Sequence, residues 1–341
     1  MTKSPVRFAA IGLAHPHIFA MTQHLLDAGA VLAAFEPEAH VLGDAFAKTF
    51  DQAEAREDRA AILEDRSIDL VLGAGVPDAR ASLGIEVLRH EKDFVSDKPA
   101  FTTRASVDQV RRVHAETGRR FLVWFSERLD SRATLHACSL VEQGAIGEVV
   151  QTLGLGPHRL DAAMRPSWFF DQGCNGGILC DLASHQVDQF LELTGFRQVS
   201  VVAARAMNRA HPEHPGLQDF GEALFEGDGA SGYVRVDWLT PDGMPTWGDG
   251  RLLIVGTEGQ IEVRKNTDIE GRSGGDHLFL VDGRGTSYID CSTHELPFAS
   301  LLLRDVVERT ETAIAQAHCL RVSEIVLAAQ SLADGEIARE A

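Results

Sequence analysis

The sequence predicts two dissimilar halves. The first is a doubly wound α/β domain on a parallel sheet. The second is an α+β domain built on a large, mostly antiparallel sheet. Two changes of rhythm carry this reading. Up to about residue 125, short apolar runs alternate with amphipathic stretches of roughly ten to fifteen residues, the signature of βαβ units. From residue 197 onward strand patterns follow one another, as they do in antiparallel sheets. The boundary is placed near residue 126, giving domains 1–125 and 126–341.

The elements follow in order. "VRFAAIG" reads as a buried strand ending in glycine. "HPHIFAMTQHLLDAG" reads as a helix, with Pro16 near its first turn and Gly29 past its end. "AVLAAFEP" is a strand, "EAHVLGDAFAKTF" a helix, "IDLVLGAGVP" a strand and "ARASLGIEVLRHE" a helix. "DFVSDKP", "ASVDQVRRVHAETG" and "RFLVWFSERL" continue as strand, helix and strand. "SRATLHACSLVEQGAIG" is a helix and "EVVQTLGLG" a strand. A loop rich in His, Arg, Pro and aromatics follows, "PHRLDAAMRPSWFFDQG", and then a helix in "GCNGGILCDLASHQVDQF". The strands are "RQVSVVAARAM", "FGEALFEGD", "ASGYVRVDWL", "RLLIVGTEGQIEVRK", "HLFLVDG" and "TSYIDC". Two amphipathic helices close the chain, "FASLLLRDVVERTETAIAQ" and "RVSEIVLAAQSLADGEIARE".

Composition excludes several function classes. The 341 residues suffice for two domains with a substantial core. A formal net charge of -18 repels nucleic acid and anionic membranes, so neither is expected as a partner. No apolar run approaches the roughly 20 residues that span a bilayer. The N-terminus reads as a first strand and not as a signal peptide. The five cysteines are irregularly spaced with no C-x-x-C, which fits free core thiols and a cytoplasmic location.

The turn after the first strand is where a doubly wound sheet binds dinucleotide phosphates. The G-x-G-x-x-G pattern appears as Gly12-Leu-Ala14-His15-Pro-His17. Ala14 is small enough for a backbone to approach a pyrophosphate. His17 stands where the third glycine permits close helix–strand packing. Glu36 ends the second strand, where an acid accepts hydrogen bonds from ribose hydroxyls and repels a 2′-phosphate. No Arg or Lys stands in "EPEAH". NAD is therefore favoured over NADP. His15 and His17 are expected to bond cofactor phosphates or backbone. Two histidines alone do not make a metal site, and no metal is expected.

Asp181, His185 and Asp188 share one face of a helix, spaced i, i+4 and i+7. Read alone, the set suits catalysis, metal binding with His158, or a solvated helix face.

Taken together, the near-fingerprint, the acid after the second strand, "AGVPD", "SDKPAF", "QGAIGEV", "GGILCDLASHQVDQF" and "LIVGTEGQIEV" resemble the glucose–fructose oxidoreductase/inositol dehydrogenase/rhizopine catabolism (Gfo/Idh/MocA) family over essentially the whole chain. The resemblance implies a Rossmann nucleotide-binding domain, a nicotinamide cofactor, a sugar or polyol substrate and a homo-oligomer, dimer or tetramer. The family's Glu-Lys-Pro is here Asp97-Lys98-Pro99. Its second motif maps onto Gly176, Gly177, Asp181 and His185. The resemblance thus implies Lys98, Asp181 and His185 as the catalytic set. It adds Gly75, Val76, Pro77, Asp97, Lys98 and Arg128 to the cofactor residues. The family often has Thr-Pro-Asn followed by a histidine. Here Val76-Pro77-Asp78 stands there, with Ala81 at the histidine position. Ala183 or Ser184 replaces the glycine usual between the Asp and the His.

The chemistry suits those residue types. Oxidising a carbinol sends hydride to nicotinamide and a proton elsewhere. A histidine can take the proton. A lysine stabilises the developing alkoxide. Asp181 can hold sugar hydroxyls or balance the lysine, and Asp188 can orient the imidazole or bond backbone. His158, Arg159, Arg165 and Trp168 offer polar donors and a flat ring to a sugar. "MPTWGDGR", with Trp247 and Asp249, reads as a sheet-edge turn. Two further readings stay open: redox-neutral glycoside cleavage or epimerisation on tightly held NAD, and a non-catalytic NAD- or sugar-sensing module.

Overall fold

The computed structural model describes residues 4–195 and 198–335. The expected start of the "RQVSVVAARAM" strand at Arg197, and residues 336–340 of the last expected helix, lie outside the described residues. The chain divides into two compact units. One runs to Trp124 and takes in Pro297–Leu320. The other comprises Phe125–Leu296 and the chain from Arg321.

The first unit is a parallel α/β layer structure. Its elements are β1 (Arg7–Ala10), α1 (His17–Asp27), β2 (Val31–Phe35), α2 (Val41–Thr49), β3 (Glu54–Ala55), α3 (Arg59–Leu63), β4 (Leu70–Gly73), α4 (Pro77–Arg89), β5 (Asp93–Asp97), α5 (Arg104–Thr117) and β6 (Phe121–Trp124). The strands are ordered β3-β2-β1-β4-β5-β6. Every pairing is parallel. β4, β5 and β6 are buried at every position, as a sheet covered on both faces requires. Sequence reading passed over β3 and α3. They are too short for a periodic pattern to register.

The second unit begins with α6 (Ser126–Leu129), α7 (Arg132–Glu142), β7 (Val149–Pro157), α8 (Gln172–Asn175), α9 (Ile178–Asp181) and α10 (Ser184–Thr194). Strands β8 (Val199–Met207), β9 (Phe220–Gly227), β10 (Ala230–Asp237), β11 (Arg251–Gly256), β12 (Gly259–Arg264), β13 (His277–Asp282) and β14 (Gly285–Asp290) follow. The sheet order is β14-β13-β12-β11-β7-β10-β9-β8. Among the described residues of this sheet only β7 and β10 pair in parallel. β9 and β10, and β7 in its second half, alternate buried and half-buried residues, as a sheet with one covered face does.

Two helices end the chain, α11 (Phe298–Glu308) and α12 (Gln316–Ala333). The single helix expected over 298–316 stops at Arg309, which adopts φ 59°. The sequence reading placed all of 126–341 in one domain. The structure returns Pro297–Leu320 to the first unit, and side-chain bonds explain why. The Phe121 N–H donates to Gln316 Oε1 at 2.7 Å, and the Val123 N–H reaches Cys319 Sγ at 3.4 Å. The Phe298 ring meets Trp124 edge-on at 4.7 Å. These partners lie nearly two hundred residues apart in sequence, beyond any local pattern. Among the described residues no helix is long and apolar enough to cross a membrane.

Asp93 anchors this return. Its buried carboxylate accepts from the Arg120 N–H at 2.8 Å and from both terminal nitrogens of Arg309. Asp93→Ala should destabilise the protein by about 2–4 kcal/mol, because a buried N–H and a guanidinium lose their acceptor together. Denaturant unfolding followed by tryptophan fluorescence would measure the loss.

Candidate active site

The nucleotide end is built where the strand order reverses, between β1 and β4. The Ala74 N–H donates to Gly12 O at 2.9 Å and the His15 N–H to Ala74 O at 2.8 Å, lacing the two turns together. Gly12 has φ +81°, and a Cβ placed on it would stand 2.9 Å from Gly75 N. Backbone conformation and close approach both demand glycine there. Pro16 makes no side-chain cap on α1, and the first N–H groups of the helix turn back on the chain, Ile18 to His15 O at 3.3 Å and Phe19 to Pro16 O at 3.2 Å. This cradle fits a dinucleotide pyrophosphate. Ala14 sits half-buried in the turn. Glu36 directly follows β2, and its N–H donates to Ala10 O at 2.9 Å. Sequence reading did not foresee Glu38, whose Oε1 accepts from the Leu13 N–H at 2.8 Å.

The two histidines of the turn converge on Asp97. His17 Nδ1 lies 2.8 Å from Oδ1 and His15 Nδ1 3.2 Å from Oδ2. The His17 N–H also donates to His15 Nδ1 at 3.3 Å. The ring of His17 therefore turns toward the end of β5 and stays out of the helix–sheet packing. That is how the third glycine is dispensed with. Burial, then the charge of His17, holds the His15 pKa well below the usual histidine value, so its ring is neutral. Burial alone would raise the Asp97 carboxyl. The charges of His17 and Arg80 outweigh it and hold Asp97 well below the carboxylate range. These two histidines and Asp97 bring ligand atoms within 4.8 Å of one another. Arg80, however, lies 3.2 Å from the same Asp97 Oδ2, and its charge opposes a second cation there.

Arg80 was not foreseen. It is buried, and it donates to Gly75 O at 2.7 Å and to Pro99 O at 3.1 Å. One guanidinium thus ties together the Gly75-Val76-Pro77 turn, Asp97 and the residue after Lys98. Lys98 itself is buried, and the Lys98–Pro99 peptide is cis.

In the second unit the Asp–His motif is not one continuous helix. α9 ends at Asp181, and α10 starts at Ser184. Asp181 is half-buried. Every residue from Ser184 to Leu191 is buried, which corrects the solvated-face reading of this helix. Asp188 accepts from Arg128 Nε and from a terminal nitrogen, both at 2.7 Å. The Arg128 guanidinium, expected near cofactor, is spent on that pair and on Glu192 at 3.5 Å.

Beside His185 lies a buried charged set the sequence did not disclose. Glu127 Oε2 accepts from Lys265 Nζ and from Gln186 Nε2, the latter at 2.9 Å. Burial would raise the Glu127 carboxyl, but Lys265, then His185 and His158, pull it down to about 2. Glu127 is therefore a fixed negative charge.

The predicted substrate loop gathers on an aromatic wall. His158 lies edge-on to Trp238 at 5.3 Å and tilted over Trp247 at 4.3 Å. Arg165 stacks over Phe169 at 4.5 Å and Trp238 at 5.1 Å, and donates to Leu160 O at 2.8 Å. Asp181 is among the charges acting on it. Arg159 instead donates to Pro241 O at 3.2 Å and to Met244 O. Trp168 stands beside Phe169 at 6.0 Å. Trp247, expected in a sheet-edge turn, packs on His158. Asp249 of the same loop bonds Arg251.

Three comparisons bear on this arrangement. Residues 134–262 match the model of the GFO/IDH/MocA C-terminal domain. The chain is 26% identical over 148 residues to scyllo-inositol 2-dehydrogenase (NADP(+)) IolW of Bacillus subtilis strain 168, which is 43% of this chain and 41% of that protein. It spans less than half the length of this relative. An oxidoreductase candidate from Erwinia carotovora atroseptica SCRI1043, solved by crystallography, is 44% identical over 96% of this chain and 98% of its own, with a TM-score of 0.93. The chain belongs to the Gfo/Idh/MocA family. Levoglucosan dehydrogenase, solved with NADH and levoglucosan, shares the fold at a TM-score of 0.81 and 19% identity, over 98% of both chains.

Within the family pattern, this member carries Asp97 for glutamate and His17 for the third glycine. The Asp97–His17 bond links the two departures. The thiols are mixed in setting. Cys180, Cys291 and Cys319 are buried, while Cys138 and Cys174 are half-buried. Burial pushes the Cys138 thiol up to about 12.

Lys265→Met should destabilise the protein by about 3–5 kcal/mol, because it strands Glu127 in the interior. Adding Glu127→Gln should recover most of that loss. In the wild type the Glu127 contribution is complete above its ordinary value of 4.5 and fades as pH falls toward about 2. Denaturant melts of the wild type and the two variants at neutral pH and at pH 3 check both statements.

Proposed function

We propose that the chain is an oxidoreductase moving a hydride between a nicotinamide dinucleotide and a hydroxyl or carbonyl group of a sugar, cyclitol or glycoside. What carries the reading is family membership over the full length, with the family's lysine and Asp–His motifs kept as Lys98, Asp181 and His185. The cradle at Gly12 and Gly75 supports a dinucleotide, and Glu36 at the end of β2 supports the ribose diol of NAD(H).

The bound nicotinamide supplies hydride acceptance and donation at its C4. The protein's residues do the rest. Lys98 places a positive charge beside the reacting oxygen and lowers the cost of alkoxide. His185 takes the hydroxyl proton on an imidazole nitrogen, or returns it in the reverse direction. Asp181 holds neighbouring hydroxyls and steadies the substrate. Glu127 is ionised and close enough to His185 for the two to interact electrostatically. His158, Trp247 and Trp238 offer a flat wall to a ring. Arg128 supports the site through Asp188 and need not touch the cofactor.

The half-buried face of the second sheet carries Leu153, Tyr233 and Leu253 in register. It supports association of the chain with copies of itself. The five free thiols suit the cytoplasm.

A panel of sugars, cyclitols, lactones and glycosides, read by NAD or NADP reduction, should yield a substrate. Lys98→Ala and His185→Ala should each lower kcat/KM on it by about 10²–10⁴-fold, with NADH affinity within a few-fold of wild type. Unchanged turnover would remove these residues from the mechanism.

A further inference from the structure

Glu36 does not stand alone at the ribose end. Arg59 opens α3, away from the stretch that follows β2, and folds back onto it. Its Nε donates to Glu36 Oε1 and Oε2 at 3.1 Å each, and a terminal nitrogen donates to Oε2 at 2.9 Å. Its other terminal nitrogen lies 3.6 Å from Glu86 Oε2. The Arg59 side chain remains 43% exposed, while Glu36 is 17% exposed. The neighbouring Arg56 is differently placed. It is committed to Glu54 at 2.7 Å and Asp65 at 2.9 Å, and only 19% of it is exposed.

In a sheet of this order the adenosine ribose is read at the end of β2. A bare glutamate there repels a 2′-phosphate. A glutamate held by a guanidinium is neutralised, and the guanidinium is a planar donor fork that matches phosphate oxygens. A half-exposed ion pair is worth little in stability, so exchanging one partner for another costs little. Arg59 can turn the terminal nitrogen near Glu86 to a phosphate ester while Nε stays on Glu36 and keeps it neutralised, or move toward Glu86 and leave Glu36 to a free diol.

We propose that Arg59 is a 2′-phosphate-recognising residue, so that the ribose end takes NADP(H) as well as NAD(H). Glu36 receives the free diol in one case, and Arg59 receives the phosphate in the other. The proposal rests on the dinucleotide reading above and adds a specificity residue to it.

The test is binding, independent of turnover. Affinities for NADH and NADPH, and for the fragments 5′-AMP and 2′,5′-ADP, are measured by calorimetry on wild type, Arg59→Ala, Arg59→Lys and Arg56→Ala. Wild type should bind both dinucleotides. Arg59→Ala should weaken NADPH and 2′,5′-ADP at least tenfold and leave NADH and 5′-AMP within threefold. Arg59→Lys should restore part of the loss, since it keeps charge without the fork. Arg56→Ala should leave the NADPH/NADH ratio unchanged. A wild type that binds NADH and not NADPH overturns the proposal, as does an Arg59→Ala loss equal for both. A wild type that binds neither dinucleotide overturns the dinucleotide reading itself.

Discussion

The first unit depends on one close approach. Gly12 and Gly75 bring two turns into backbone contact where the strand order reverses, and no side chain fits between them. Parallel strands end at one edge, so helices on opposite faces must diverge there. The space they leave belongs to a ligand only if the turns beneath it stay flat. Arg80 holds that floor from below through carbonyls of Gly75 and Pro99, and Asp97 takes its charge. The histidines that break the glycine fingerprint bond to the same carboxylate, so the broken motif and the lysine motif are one structural object.

The second unit depends on a different constraint. α10 buries Gln186, Asp188 and Gln189 along with its apolar residues. Such a helix is costly unless each polar group is met. Two adjacent residues of α6 meet most of them. Glu127 takes Gln186 by its carboxylate and Gln189 by its carbonyl, and Arg128 takes Asp188. This short helical turn, expected as the tail of a strand, fixes where His185 stands. Polar partners held this rigidly give up freedom of the side chains in exchange for a defined imidazole position.

Much of this was legible in sequence, and the remainder was not for a common reason. Strand and helix order came from periodicity, which is local. The turn at Gly12, the lysine after β5 and the Asp–His motif came from short motifs, which are local too. What escaped were partners set by the fold alone. Lys265 reaches Glu127 across 138 positions, and Asp97 receives His17 across 80. The absence of a basic residue in "EPEAH" was correctly read, yet Arg59 arrives 23 positions later and sits on Glu36. The helix break at Leu182 and Ala183 was hidden because both residues are ordinary helix formers.

Two arginine–carboxylate pairs show how the same chemistry can serve opposite ends. Arg128 and Asp188 are 5% and 0% exposed, with two bonds of 2.7 Å. Removing either partner would leave a buried charge with no water to receive it, so the pair is effectively permanent. Arg59 and Glu36 make comparable bonds at 2.9–3.1 Å, but at 43% and 17% exposure. Water screens both charges and can take up either one when the bond opens. Bond geometry alone would rank these pairs together. Solvent access separates them into a fastener and a contact that a ligand can replace, and only the second belongs where a cofactor must come and go.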